Sequence, residues 1–137
     1  MGQQQLLLII LGVIVVGIAV AVGITMFTDN AVSANRDAVI NDLVNLASRA
    51  QQYYRRPAAL GGGQGAFDAS NGGGGISLIT QLTSKPLNAN GSYVISTAAS
   101  ATSIGLTGYG TEKGTDGNPI QVIMTVFADS TFCAPQN

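Results

Sequence analysis

Residues 6–27 read LLLIILGVIVVGIAVAVGITMF and carry no charged side chain. As a helix this run spans about 33 Å, close to the ~30 Å thickness of the hydrocarbon core of a bilayer. A helix that is apolar on every side has to be buried on every side. The remainder of the chain is too small to enclose such a helix, so either lipid or other copies of the same helix must cover it.

Three interpretations of this run compete. A cleaved signal peptide normally has basic residues ahead of an apolar core of about 7–15 residues, followed by small residues at the cleavage site. Here no basic residue precedes the run, the run is longer, and bulky residues follow Gly23. A permanent single-pass anchor fits the length but leaves the next segment unexplained. The third interpretation is a segment that starts in a membrane and ends packed among identical helices.

The segment that follows favours the third interpretation. Residues 29–54 contain no Gly or Pro, and their apolar positions recur with the period of an amphipathic helix. We therefore expect one helix over about residues 2–54, stopping before Pro57. The side chains expected to pack against the rest of the chain share one face: Val32, Val39, Leu43, Leu46, Ala50 and Tyr54.

Three glycines interrupt the apolar run, at Gly12, Gly17 and Gly23. Each lowers helix stability by roughly 0.5–1 kcal/mol relative to Ala. One interpretation is ordinary, because glycine is frequent in membrane helices and allows close helix contact. The other is that the glycines permit local unwinding in an assembled filament. The sequence leaves both open.

After Pro57 the composition changes abruptly. Residues 61–75 include eight glycines and predict a flexible or irregular connector. Residues 76–82 favour a short helical turn over a short strand, and strands are expected at 92–97, about 103–109 and 120–128, with a turn-rich loop at 110–119. The predicted fold is α+β: a long N-terminal helix with about three antiparallel strands on its second half. Its parts are an apolar helix (1–28), an amphipathic helix (29–57), a connector (58–91) and a β meander (92–137).

The composition disfavours catalysis. The chain has no His, one Cys and a formal net charge of −1. Cys133 cannot form a disulfide within the chain and has no His to activate it. We expect no catalytic residue, no cofactor and no metal site. No nucleic-acid site is expected either, because of the six Lys and Arg residues only Arg55 and Arg56 are adjacent.

This layout resembles the mature type IV pilins, which have a helix of about fifty residues, apolar first and amphipathic second, followed by a small β-rich domain. The resemblance covers the helix over residues 1–57 and only the general layout beyond it. In bacterial members the fifth residue is usually Glu, which is thought to pair with the N-terminal amine of a neighbouring subunit. Here Gln5 stands at that position if Met1 is the mature first residue. If Met1-Gly2 is instead a vestigial leader, the fifth residue becomes Leu7.

The resemblance implies a filament of identical subunits on the cell surface, assembled by a pilus machinery from subunits first held in the inner membrane. Attachment, twitching motility and DNA uptake are all consistent with it. The related alternatives are a secretion pseudopilin and a monomeric, membrane-anchored binding module. The residues expected at the assembly interface are the large side chains of the apolar run and the polar end before it: Met1, Gln5, Leu6, Leu7, Leu8, Ile9, Ile10, Leu11, Val13, Ile14, Val15, Val16, Ile18, Val20, Val22, Ile24 and Phe27.

Overall fold

The fold combines one long helix with one sheet, in a computed structural model that describes residues 2–136. Helix α1 runs over Gly2–Arg55, and its 54 residues give a rod about 80 Å long. A four-stranded antiparallel sheet packs against its second half. The predicted α+β class, with a long N-terminal helix and a C-terminal antiparallel sheet on it, is confirmed. We call residues 58–136 the head, and residues 2–28 of α1 the apolar half.

The sheet is a meander in the order β1-β2-β3-β4. Its strands are β1 (Gly91–Thr97), β2 (Ser103–Lys113), β3 (Pro119–Phe127) and β4 (Thr131–Pro135). Alternate residues of β3 are buried against the helix, as expected for a sheet with one face on a core. Thr107 in the centre of β2 pairs with Val94 on one side and Ile123 on the other.

Two details differ from the sequence-based expectation. The sheet has four strands where about three were predicted, because β4 lies at an edge and needs no alternating apolar pattern to pair with β3. The predicted loop over 110–119 is also shorter, since β2 continues to Lys113 and β3 begins at Pro119. The turn itself is closed by Gly114 N–H donating to the Asn118 carbonyl oxygen, at 2.8 Å.

The core lies between the second half of α1 and the sheet. Its helix side is formed by successive turns of one face of α1, and its sheet side by the inward residues of the strands, with contributions from the connector. The buried members are Val39, Leu43, Leu46, Ala47, Ala50, Phe67, Ile76, Leu82, Tyr93, Ile104, Leu106, Ile120, Val122, Met124 and Val126.

The glycine-rich connector forms the C-terminal cap of α1. The last turn of a helix leaves carbonyl oxygens without intrahelical partners. Here Gly63 N–H donates to the Tyr53 carbonyl at 2.8 Å, and Gly65 N–H to the Tyr54 carbonyl at 2.8 Å. The chain then turns inward at Phe67, which is fully buried with its ring centroid 4.8 Å from that of Tyr54. Short 3₁₀ turns flank this segment at Ala58–Leu60 and Ile79–Gln81.

Gly63→Ala is expected to destabilise this cap by about 1–3 kcal/mol. A Cβ at Gly63 would overlap the Ala66 carbonyl oxygen and stand 2.8 Å from the Tyr53 ring. Gly74→Ala is the matched control, because a Cβ there meets no atom within 4 Å. Limited proteolysis of the connector, with urea unfolding, compares the two variants. Equal resistance of both to protease would contradict the capping role.

Candidate assembly surfaces

The apolar half of α1 has no covering within the chain. Every residue from 2 to 30 is exposed, and the large apolar side chains keep half or more of their surface, such as 62% for Val16 and 79% for Phe27. All the predicted interface residues from Gln5 to Phe27 lie on this exposed rod, on every side of it. Met1, which was assigned to the same interface, lies outside the described residues.

This half of the helix is long and apolar enough to cross a membrane. Its most apolar window has a mean hydropathy of 3.2, and none of that window is buried within the protomer. By length and composition, then, it is compatible with a transmembrane helix.

The two threonine hydroxyls of this rod are satisfied locally. The Thr25 hydroxyl donates to the Val22 carbonyl at 2.8 Å, and the Thr28 hydroxyl to the Ile24 carbonyl at 3.0 Å. Because each hydroxyl bonds back to its own helix, the segment enters an apolar environment without an unpaired hydroxyl donor. The helix from residue 6 to Thr28 is therefore chemically suited to burial.

The three glycines of the rod have no role inside the protomer. A Cβ added at Gly12, Gly17 or Gly23 would meet no other side chain or segment within 4 Å. Any requirement for glycine at these positions must come from whatever surrounds the rod. Both sequence-based interpretations, close helix contact and local unwinding, stay predictions.

The second half of α1 meets the head through one face. Val39, Leu43, Leu46 and Ala50 are buried in the core, and Val32 and Tyr54 are partly buried against it. These are the six residues that the helical spacing of apolar positions in the sequence predicts to pack against the rest of the chain. Ala47 is also buried and was missed, because a small residue gives little periodic signal.

A polar cluster fastens the helix to the start of the sheet. One oxygen of Asp42, Oδ2, accepts hydrogen bonds from Asn88 Nδ2 at 2.8 Å, Asn90 Nδ2 at 2.8 Å and the Tyr93 hydroxyl at 2.6 Å. The two asparagines belong to the turn that precedes β1, and Asn88 Oδ1 in turn accepts from Asn90 N–H at 2.9 Å. Charge-assisted bonds of this kind are stronger than neutral ones. Asp42 therefore ties the turn and β1 to α1.

The pKa shifts in this cluster favour a charged Asp42 carboxylate and a protonated Tyr93 hydroxyl, which are the forms that the hydrogen bond between them requires. Burial alone raises the pKa of the Asp42 carboxyl, but hydrogen bonds from Asn90, Tyr93 and Asn88 outweigh it and hold the pKa below 3.8. Burial and the neighbouring Asp42 carboxylate raise the pKa of Tyr93 well above its ordinary value. At neutral pH, Asp42 is thus charged and accepts, while Tyr93 is protonated and donates.

Asp42→Asn is expected to lower the free energy of unfolding of the head by about 1–3 kcal/mol, because it removes the charged acceptor. The pKa of Asp42 is lower in the folded chain, so its contribution is present above pH ~3.8 and is lost as the pH falls below that value. Urea unfolding in detergent micelles from pH 6 to 2 measures this, and the variant should show a smaller loss.

Asp68→Asn is the control for the change of charge, because that exposed carboxyl accepts its hydrogen bonds from Ser70, two residues away, and does not tie α1 to the sheet. A variant at Asp42 that is as stable as wild type, and equally sensitive to acid, would contradict the fastening role.

Residues 2–136 bring together no group of three or more His, Cys, Asp or Glu side chains able to hold a metal ion. Cys133 is half-buried on β4, and burial raises the pKa of its thiol.

The chain matches no protein-family model, no curated protein sequence and no solved structure.

Proposed function

We propose that this chain is the structural subunit of an extracellular type IV pilus-like filament. In this proposal the apolar halves of many copies pack together in the filament core, and the heads form the outer surface. The subunit waits in the inner membrane before a pilus assembly machinery adds it to the filament. It is not an enzyme and carries no cofactor.

The observation that supports this most is the uncovered apolar rod joined without interruption to a folded head. Burying a Val, Leu or Ile side chain contributes roughly 1.5–3 kcal/mol relative to leaving it in water. Side chains of this kind surround the helix. A single partner on one side would therefore leave the apolar side chains on the other sides exposed to water. Neighbours on all sides, either lipid or identical helices, remove them from water together.

The polar end before the rod has a proposed role as well. In the filament, Gln5 stands where bacterial pilins usually have Glu, and its amide hydrogen-bonds the N-terminal amine of a neighbour without burying a negative charge. An alternative is that Gln3, Gln4 and Gln5 only mark the polar edge of a membrane segment. Mass spectrometry of the mature N-terminus tests the first role, which requires a chain that begins at Met1.

Electron microscopy of sheared cell-surface material tests the proposal. Long filaments of uniform width that contain this chain, identified by mass spectrometry of the purified fraction, are the expected result. Recovery of the chain only from detergent-solubilised membranes would overturn it in favour of a monomeric anchored module. Short assemblies confined to the periplasm would favour a secretion pseudopilin instead.

A further inference from the structure

We propose that the outer face of the sheet binds a neutral polysaccharide, whose sugar rings pack against exposed aromatic side chains. The outer face is the side of β1–β4 that points away from α1. Its apolar members are Val94, Tyr109, Ile123, Phe127, Phe132 and Ala134. This inference goes beyond the proposed filament, because each head carries the whole face.

The register of the strands gathers these side chains on one side. Every second residue of β3 is buried toward α1, so the residues between them point away from the helix. Cross-strand pairing extends this side over the whole sheet. One row crosses all four strands and consists of Val94, Thr107, Ile123 and Ala134. In the next row Phe132 of β4 pairs with Thr125 of β3.

The aromatic rings of the outer face are open to solvent. Phe132 is 65% exposed, Phe127 40% and Tyr109 38%. Phe127 follows Thr125 by two residues, so it stands diagonally from Phe132, within reach of a large side chain. At the centre of the face Thr107 has no exposed surface, because its neighbours close over it. The result is a shallow aromatic surface without a pit at its centre.

The outer face is also neutral. Over the described strands the only charged residues are Glu112 and Lys113, which lie beyond Tyr109 at the far end of β2. Asp129 lies beyond the other end, in the turn that follows Phe127. An ionic partner placed on the rings would lose hydration without meeting a counter-charge. The face therefore favours an uncharged partner.

The size of the outer face argues against a second copy as the occupant. Four strands about 4.8 Å apart, and four rows of side chains along them, give a surface of about 400 Å². A stable protein–protein interface buries about 800 Å² on each partner. An exposed apolar patch of a few hundred Å² is instead typical of a ligand-binding surface on a monomer.

The orientation of the outer face argues against lipid. Asn35 Nδ2 donates to Thr111 Oγ1 at 3.2 Å, and Gln51 Nε2 donates to the Phe127 carbonyl at 3.0 Å. One end of the sheet thus lies beside Asn35 and the other beside Gln51, so the strands run roughly along α1. When the apolar half crosses a membrane, the outer face stands upright on the bilayer and does not lie on its surface.

A neutral polysaccharide fits these properties. The C–H groups on one side of a sugar ring form an apolar surface, which packs on the electron-rich face of an aromatic ring. Its hydroxyl groups can hydrogen-bond to Ser92, Gln121 and Thr125, which belong to the outer face and supply both donors and acceptors. Binding to one shallow face is weak. In the proposed filament many heads contact the same sugar chain, and the avidity is much higher.

The test is a nuclear magnetic resonance titration of the full-length chain with cellohexaose, a neutral linear sugar. The chain is held in micles of a detergent that has no sugar headgroup. Chemical-shift changes are expected on the amides around Phe127 and Phe132. Phe132→Ala should weaken binding at least ~5-fold, because it removes the most exposed ring of the face. Phe132→Tyr keeps a ring and should bind like wild type.

Leu60→Ala is the matched control, because Leu60 is 71% exposed in the 3₁₀ turn after α1 and should leave the affinity unchanged. A charged sugar of the same length, hexameric mannuronate, should bind at least ~5-fold more weakly than cellohexaose. The absence of shifts, shifts away from the outer face, or equal affinity of Phe132→Ala would overturn the proposal.

Two further outcomes would assign the outer face to another occupant and overturn the proposal. Shifts on this face caused by phosphatidylcholine vesicles without sugar would indicate lipid. Shifts on this face that grow with protein concentration would indicate a second copy. None of these results bears on the filament, because a single subunit in a micelle is measured and electron microscopy tests the filament separately.

Discussion

Val16→Asp is expected to abolish filament formation. Val16 lies near the middle of the apolar half, exposed in the protomer and at least six residues from either end of the uncharged run. In the proposed core a carboxylate at this position would be surrounded by Val, Leu and Ile side chains. An unpaired charge in such a place costs several kcal/mol, and the cost recurs in every subunit. Filament mass in the sheared fraction is the measurement.

The control for this variant is Val16→Leu, which keeps an apolar side chain of similar size and should assemble normally. The membrane fraction has to be measured beside the filaments, because a charge at the centre of a membrane helix also disfavours insertion by about 2.5–3.5 kcal/mol. Loss of filaments with the membrane pool retained assigns the defect to packing between copies. A normal yield of filaments from Val16→Asp would contradict a core built from these helices.

Leu43→Ala should destabilise the head by about 2–5 kcal/mol without removing the apolar rod. Leu43 is fully buried at the centre of the face that α1 turns toward the sheet, among Val39, Leu46, Ala47 and the strands. Truncation leaves a cavity that a helix packed on a sheet cannot readily close. Urea unfolding in detergent micelles, followed by the near-ultraviolet circular dichroism of the buried Tyr93, measures the loss.

Val44→Ala is the matched comparison, because Val44 is the next residue on the same helix and retains 45% of its exposure. It removes apolar side-chain carbons from the face that looks away from the sheet, so it should change the free energy of unfolding by less than about 0.5 kcal/mol. Equal effects of the two substitutions would mean that the sheet does not pack on the Leu43 face.

The helix and its contacts could be predicted because their signals are local. No Gly or Pro interrupts residues 29–54, and the apolar positions there repeat every three or four residues, so both the continuity of α1 and its buried face follow from the sequence. The strongest strand, β3, was similarly visible, because it is rich in β-branched residues. Such features depend on neighbours within a few positions.

Other features depend on pairings that no local pattern records. The partners of Asp42 lie 46, 48 and 51 residues further along the chain, and only the fold brings them to one oxygen. Strand β4 contains a proline and a cysteine and is recognised only by its register with β3. The glycines of the connector predict flexibility, yet Gly63 and Gly65 are used to cap α1.

Helix α1 continues without a break from the apolar half into the part that packs against the sheet. The direction in which the head points is therefore fixed by the rotation of the apolar half about the helix axis. No joint separates the two parts, and each helical residue advances the axis by about 1.5 Å and turns it by about 100°. One residue inserted between 28 and 32 would swing the head through more than a quarter of a revolution relative to its stem, while leaving each part internally intact. The number of residues along this stretch thus sets the angle between the head and the apolar half. Because the helix is continuous, a pulling force applied to the head is transmitted along its axis to the apolar half.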